Sequence, residues 1–99
     1  MKIDSKKLYQ LLSKIPKGKV TTYKELANKL NTKAYRGIGK VVGLNPDAPK
    51  VPCHRVVRTD GGLGGYAFGL DKKVKLLKSE GVEVNSGKIT DFDNKLYRY

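Results

Sequence analysis

Apolar residues near the start of the chain recur with the period of a helix, at Leu8, Leu11, Leu12 and Ile15. Asp4 or Ser5, just before them, suits the N-cap position. Pro16 and Gly18 then interrupt the pattern. We therefore expect a first amphipathic helix whose apolar side packs into the core.

Two shorter helices are predicted next. Thr22 followed by Glu25 matches a capping box, which places the start of a second helix near Tyr23. After a turn at residues 31–33, a third helix is expected from 34 to 42. Two short helices joined by a tight turn in a basic chain are typical of a helix-turn-helix.

The third helix contains two glycines, Gly37 and Gly39, between the basic residues Arg36 and Lys40. Glycine in a helix interior lowers stability, so we expect something to approach the backbone closely there. A duplex groove and a packed neighbouring helix both satisfy that expectation.

Extended structure is predicted in the second half of the chain. The β-branched residues of 51–57, bounded by Pro52, favour a fixed and largely buried strand. The glycine-rich stretch 58–66 fits a flexible hairpin, and it lacks the Gly-Lys-Ser/Thr ending of a phosphate-binding loop. Together these elements predict a mainly α fold with a small β wing, a winged helix-turn-helix.

A last helix is expected from 70 to 80, capped by Asp71 and stopped by Gly81, with its inward positions at Leu70, Val74 and Leu77. Residues 82–99 mix polar and aromatic side chains. They predict a strand or a packed tail and indicate no chemistry.

The net charge is the strongest compositional signal. The 99 residues, which suit a single domain, carry 21 Lys and Arg against 9 Asp and Glu, a net charge of +12. Such a surface favours a polyanionic partner, with nucleic acid first and an anionic membrane surface second. A merely soluble, lysine-rich surface is the remaining alternative.

Targeting and cysteine content point to the inside of the cell. No apolar run approaches the roughly 18–20 residues of a membrane span, and the first four residues lack a secretory signal. The single cysteine excludes an internal disulfide and an all-cysteine zinc site. We expect an intracellular, cytoplasmic protein.

The only cysteine and the only histidine, Cys53 and His54, are adjacent. A thiol next to a base is a candidate nucleophile, whereas a free cysteine is more often a small apolar filler. On a strand the two side chains would point to opposite faces, so His54 would reach Cys53 only through a backbone bend or a water. The pair alone therefore leaves both interpretations open.

The residues around this pair resemble a known family. Pro-Cys-His-Arg-Val at 52–56, preceded by Asn45-Pro46 and followed by Gly65-Tyr66, is similar to the active-site block of the O6-alkylguanine-DNA alkyltransferases. The resemblance runs from about Val20 to Gly81. Ala67 departs from it, since serine is frequent at that position.

The resemblance implies a role for each residue around the cysteine. Cys53 would be the nucleophile and His54 a base acting through a water, with Glu80 orienting His54. Asn45 would bridge the recognition helix and the cysteine segment. Tyr23, Tyr66 and the backbone carbonyl of Val56, with that of Cys53, would contact a guanine flipped out of the duplex.

The resemblance also implies how the chain meets DNA. The third helix would lie in the minor groove, and Arg36 would enter the base stack in place of the extruded nucleotide. We expect the DNA-binding residues to be Arg36, Gly37, Gly39, Lys40, Thr22 and Arg55.

The implied reaction is a single transfer of an alkyl group from O6-alkylguanine in duplex DNA to Cys53, because a thioether has no easy hydrolytic exit. No cofactor, metal or membrane is expected, and we expect a monomer. Two alternatives are a non-catalytic alkyltransferase-like lesion sensor, a class that replaces the cysteine, and a winged-helix regulator. A basic chromatin protein would explain only the charge.

Overall fold

The computed structural model describes residues 3–45, 50–66 and 68–99. The loop expected after Asn45 and the departure at Ala67 lie outside these ranges. The described chain is rich in helices and holds two two-stranded sheets. None of its helices is long and apolar enough to cross a membrane.

The first helix forms as predicted. Helix α1 spans Ser5–Ser13, and the carboxylate of Asp4 caps it by accepting from the amide of Lys7 at 3.1 Å. The four apolar positions that predicted the helix are all buried. The α1 face is therefore part of the core.

The paired helices are also found. Strand β1, Thr21–Thr22, leads into α2, Tyr23–Lys29, and α3 covers Tyr35–Gly43. The Thr22 hydroxyl accepts from the amide of Glu25 at 3.1 Å, as the capping pattern predicted.

The cysteine segment differs from the prediction. Only Val56–Val57 is a strand, β2, while Cys53–Arg55 is a turn of 3₁₀ helix. Pro52 has no N–H for a strand ladder, and its carbonyl instead accepts from the Arg55 amide at 3.1 Å. Strand β2 pairs in parallel with β1, so the turn is anchored against the start of α2.

The expected hairpin at 58–66 is absent, since no strand occurs there. The Arg58 amide donates to the Gly62 carbonyl at 2.8 Å, which closes a turn. Gly61 and Gly64 have φ of +86° and +69°, which is incompatible with an extended strand. The antiparallel hairpin lies instead at Val84–Asn85 (β3) and Lys88–Ile89 (β4), within the predicted tail.

Helix α4, Leu70–Ser79, begins and ends close to the predicted positions, but two details were wrong. Its N-cap is Gly69, with φ of +95°, and Asp71 lies inside the first turn. Leu70, at the first helical residue, is 49% exposed rather than inward, whereas Leu77 is buried. Gly81 ends the helix as predicted, with φ of +86°.

The C-terminal stretch packs onto the first half of the chain. After the short helix α5, Phe92–Lys95, the Tyr97 amide donates to the Val20 carbonyl at 2.6 Å. The core has two buried clusters of apolar residues. Val56 packs in the first cluster, and Val57, the next residue of β2, packs in the second. The turn that carries Cys53 is therefore followed directly by a strand that contacts both clusters.

Candidate active site around Cys53

The 3₁₀ turn changes how Cys53 and His54 relate. Side chains of successive residues in such a turn diverge by about a third of a revolution, not by the half revolution of a strand. Cys53 is 4% exposed, and its amide donates to the Val51 carbonyl at 2.8 Å. The turn supplies the backbone bend that a strand would have lacked.

His54 is fixed by a carboxylate. Its Nε2 lies 3.1 Å from each oxygen of Glu80, which follows the last residue of α4. Because an ionised carboxylate only accepts hydrogen bonds, Nε2 carries the proton and the lone pair is on Nδ1. That Nδ1 is buried and has no partner among the described residues.

The charges around His54 favour a neutral imidazole and an ionised Glu80. Burial lowers the pKa of His54 below its ordinary value and outweighs the opposing effect of Glu80. Burial raises the pKa of Glu80, but hydrogen bonds from Arg55 and His54 outweigh it and the net shift is downward. The pair can accept a proton at Nδ1 near neutral pH.

A cavity of about 450 Å³ lies beside the cysteine, lined by Tyr23, Gly39, Val42, Gly43, Cys53, Arg58, Gly64, Gly65 and Tyr66. Four of these residues are glycines, which leave the walls without side chains. A methyl group on Gly64 would stand 3.0 Å from the Tyr23 hydroxyl oxygen. The cavity is large enough for a purine base with a substituent.

Two tyrosines, Tyr23 and Tyr66, line this cavity. Burial first, and then a negative charge on Cys53, raise the pKa of Tyr23 and of Tyr66 above its ordinary value. Both hydroxyls are therefore donors at neutral pH. The Tyr66 hydroxyl is buried and, within the described residues, has no partner of its own.

The comparison that decides the family is a profile match. The profile described as 6-O-methylguanine DNA methyltransferase, DNA binding domain, matches residues 5–82. The chain belongs to this methyltransferase family. The resemblance inferred from Pro-Cys-His-Arg-Val is thus confirmed.

Curated relatives agree. A bifunctional methyltransferase/endonuclease of Picrophilus torridus is 45% identical over 93 residues, which are 93% of this chain and 30% of that protein. A methylated-DNA–protein-cysteine methyltransferase of Methanosarcina mazei is 49% identical over 76 residues, 76% of this chain and 48% of the relative. The chain thus spans less than half of either relative.

Solved structures of the family include DNA complexes. Atl1 of S. pombe, in complex with damaged DNA containing O6-carboxymethylguanine, matches with a TM-score of 0.84 at 26% identity, covering 100% of both chains. The Mycobacterium tuberculosis OGT in complex with DNA matches with a TM-score of 0.75 at 36% identity, covering 81% of this chain and 51% of that one.

Asn45 and Val56 lie on either side of the cysteine turn. Asn45 follows α3 and is buried, and its Nδ2 donates to the Val51 carbonyl at 2.7 Å, two residues before Cys53. Asn45 therefore links the end of α3 to the cysteine turn. The Val56 carbonyl lies at the start of β2, directly after that turn.

The residues expected to contact DNA separate into two groups. Arg36 and Lys40 on α3 are exposed. Thr22 is buried and caps α2. Arg55 points inward, with Nε and Nη2 donating to Glu80 at 2.9 and 2.6 Å and Nη1 to the Ile15 carbonyl at 2.8 Å.

The glycines of α3 serve the fold and the cavity. A methyl group on Gly37 would stand 2.7 Å from Cδ1 of Ile3, so a residue of the same chain approaches the backbone there. Gly39 lines the cavity, where an added methyl group would contact the Tyr23 ring at 3.9 Å. At Gly37 the predicted close approach is thus made within the chain, whereas the contact at Gly39 is an ordinary one.

One buried charge beside the cysteine turn was missed by sequence reasoning. Lys73 on α4 is 0% exposed. A lysine is assigned to the surface by default, because lysine is almost never fully buried. The usable signal was its position four residues before Leu77 and seven before Glu80, on one side of the helix.

Proposed function

We propose that this protein repairs DNA by moving the alkyl group of O6-alkylguanine onto Cys53, once per molecule. The carrying observation is that Cys53 lines a base-sized cavity beside an oriented histidine whose Nδ1 is free to take a proton. Family membership supplies the substrate class, since the M. mazei relative is a methylated-DNA–protein-cysteine methyltransferase.

The transfer balances without a cofactor. The Cys53 proton passes through a water to His54 Nδ1, and the imidazolium is stabilised by Glu80. The sulfur attacks the alkyl carbon in line with the carbon–O6 bond, and the electrons of the breaking bond pass to the guanine. A proton delivered to the leaving base neutralises it, and a thioether remains on Cys53.

The cavity walls would hold the flipped base. The Tyr23 hydroxyl donates a hydrogen bond to the purine N3, and the proton taken up by His54 passes through solvent to the departing guanine. Tyr66 contacts the base near O6, and the carbonyls of Cys53 and Val56 accept from its exocyclic amine. Extrusion is required because the alkyl carbon cannot meet a nucleophile inside the stack.

Helices α2 and α3 would form the helix-turn-helix, with β3–β4 in place of the wing expected at 58–66. Arg36 would fill the gap left by the flipped nucleotide, and Lys40 would contact a phosphate. Arg55 is omitted from this interface because Glu80 and the Ile15 carbonyl occupy its donors. A protein with this function would act inside the cell.

A second candidate is lesion binding without transfer. The match to S. pombe Atl1 over the whole of both chains favours this function, because the Atl1 structure is a complex with damaged DNA. The two functions differ at one atom, since transfer needs the sulfur of Cys53. Binding alone does not.

Intact mass spectrometry tests the proposal. After incubation with a duplex containing O6-methylguanine, the protein should gain one methyl group, located on Cys53 by peptide mapping. Cys53→Ser should bind the same duplex and gain no mass. A wild-type protein that binds the duplex but stays unmodified would establish the lesion-binding function instead, and several turnovers per molecule would exclude the stoichiometric mechanism.

A further inference from the structure

The proposed reaction gives no role to Lys73. Its Nζ donates to the carbonyls of Val56 at 2.7 Å, Leu63 at 2.5 Å and Gly65 at 3.1 Å. Three acceptors match the three N–H groups of an ammonium. A fully buried ammonium is strongly disfavoured unless its donors are all satisfied, and here they are.

These three carbonyls belong to two segments that also supply lining residues of the cavity. Val56 directly follows the turn that carries Cys53, while Leu63 and Gly65 belong to the segment that leads to Tyr66. That segment has no strand ladder, and Gly64 within it takes a left-handed φ. A single side chain from α4 therefore joins the cysteine wall to the tyrosine wall.

We propose that Lys73 is a positioning residue of the repair reaction, whose ammonium sets the separation between the Cys53 turn and the Tyr66 segment. The inference rests on the proposed function. An ammonium donates to all three carbonyls, whereas a neutral amine has only two N–H groups and leaves one carbonyl unpaired. Deprotonation of Lys73 therefore loosens one wall and slows transfer.

The charge of Lys73 changes within a measurable pH range. Burial lowers the pKa of Lys73 to about 8, against a smaller upward effect of a negatively charged Cys53. The ammonium predominates at pH 7 and the amine at pH 9. The neighbouring groups are His54 and Arg55 on the cysteine turn, Glu80 after α4 and the two tyrosines of the cavity.

Those neighbours do not titrate in the same range. Burial lowers the pKa of His54 below its ordinary value, whereas burial and a negative charge on Cys53 raise the pKa of Tyr23 and of Tyr66 above their ordinary values. The pKa of Glu80 is below its ordinary value, and Arg55 stays charged. Of Lys73 and these neighbours, Lys73 is therefore the group whose charge changes between pH 7 and 9.

The experiment compares wild type with Lys73→Met, Lys73→Arg and a matched control, Lys75→Met, which removes an exposed lysine of the same helix. Rates of alkyl transfer to Cys53 are measured by intact mass between pH 7 and 9, with free O6-benzylguanine and with a methylated duplex. Duplex affinity and amide hydrogen exchange of residues 62–66 are measured on the same samples.

Lys73→Met should slow transfer about tenfold or more at pH 7 on both substrates, with duplex affinity changed less than twofold. The ratio of wild-type to Lys73→Met rates should fall about tenfold by pH 9, because wild type then loses its ammonium. Lys73→Arg should keep part of the transfer rate, and its advantage over Lys73→Met should not decrease between pH 7 and 9. Lys75→Met should match wild type. Amides 62–66 should exchange faster in Lys73→Met.

Equal rates for wild type and Lys73→Met would overturn the inference, as would a loss confined to duplex affinity. If Lys73→Met does not fold, wild type alone decides it: amides 62–66, corrected for intrinsic exchange, must lose protection between pH 7 and 9. A wild type that never acquires an alkyl group refutes the proposed function. In that case the amide hydrogen exchange of residues 62–66 would still support or refute the link that Lys73 makes between the Cys53 turn and the Tyr66 segment.

Discussion

Arg55 explains why a carboxylate is stable at the end of a helix. Glu80 caps the C-terminus of α4, where the helix dipole disfavours negative charge. The guanidinium of Arg55 donates to both carboxylate oxygens, and His54 Nε2 lies within hydrogen-bond distance of both. Arg55 thus acts inside the fold, and it keeps Glu80 ionised beside His54.

Replacing this arginine should be costly. Arg55→Met leaves Glu80 with His54 as its remaining partner and frees the Ile15 carbonyl, so the free energy of unfolding should fall by about 3 kcal/mol. Urea unfolding at pH 7 measures it. Arg58→Met, at an exposed arginine, should change stability by less than about 0.5 kcal/mol. Similar losses for both variants would contradict the internal role of Arg55.

Single residues were predicted unevenly. Cys53 stood out because it is the only cysteine, and Glu80 was found through the family resemblance. The internal partners of Arg55 and Lys73 were not predicted, since a basic residue carries no mark of its partner in the sequence. The acceptors of Lys73 are backbone carbonyls 8 to 17 residues away, which every sequence provides.

Helices were predicted better than strands because they are longer. Helices α1 and α4 each repeat their apolar pattern over two or more turns. Each of the four described strands has two residues, which are too few to show an alternation of apolar and polar side chains. Strand β2 finds its partner β1 some 35 positions earlier. Residues 51–57 favour a strand locally, but Pro52 and the 3₁₀ turn after it restrict the strand to Val56–Val57.

Helix α3 offers a test of stability against function. Gly39→Ala should raise the free energy of unfolding by up to about 1 kcal/mol, because alanine favours a helix and the added methyl group makes only an ordinary contact with Tyr23. The same methyl group enters the cavity, so alkyl transfer should slow. Urea unfolding and transfer rates are measured together. A variant that is more stable and equally fast would show that the cavity does not require this glycine.

On the scale of the whole molecule, charge governs the encounter with DNA. The chain has a net charge of +12, but among the described residues that line the cavity only Arg58 is cationic. The positive field is therefore a property of the surface. That field attracts phosphates and carries no sequence information. Under the proposed function, the cavity would select the damaged base.

Affinity for DNA should therefore depend steeply on salt. With about four phosphate contacts, the affinity should drop about a hundredfold between 50 and 200 mM salt. Fluorescence anisotropy of a labelled duplex measures it. Lys40→Met should make the slope shallower by about one unit, whereas Lys78→Met, in the last turn of α4, should leave it unchanged. An affinity insensitive to salt would contradict the electrostatic interface.

The hydrogen bonds between Val20 and residues 95–97 bear on how the protein is made. During translation, the edge beside β1 stays open until those late residues leave the ribosome exit tunnel, because their carbonyl and amide complete it. A nascent chain that already displays its cysteine therefore still lacks the neighbour that residues 95–97 supply to Val20, the residue before the strand that pairs with β2.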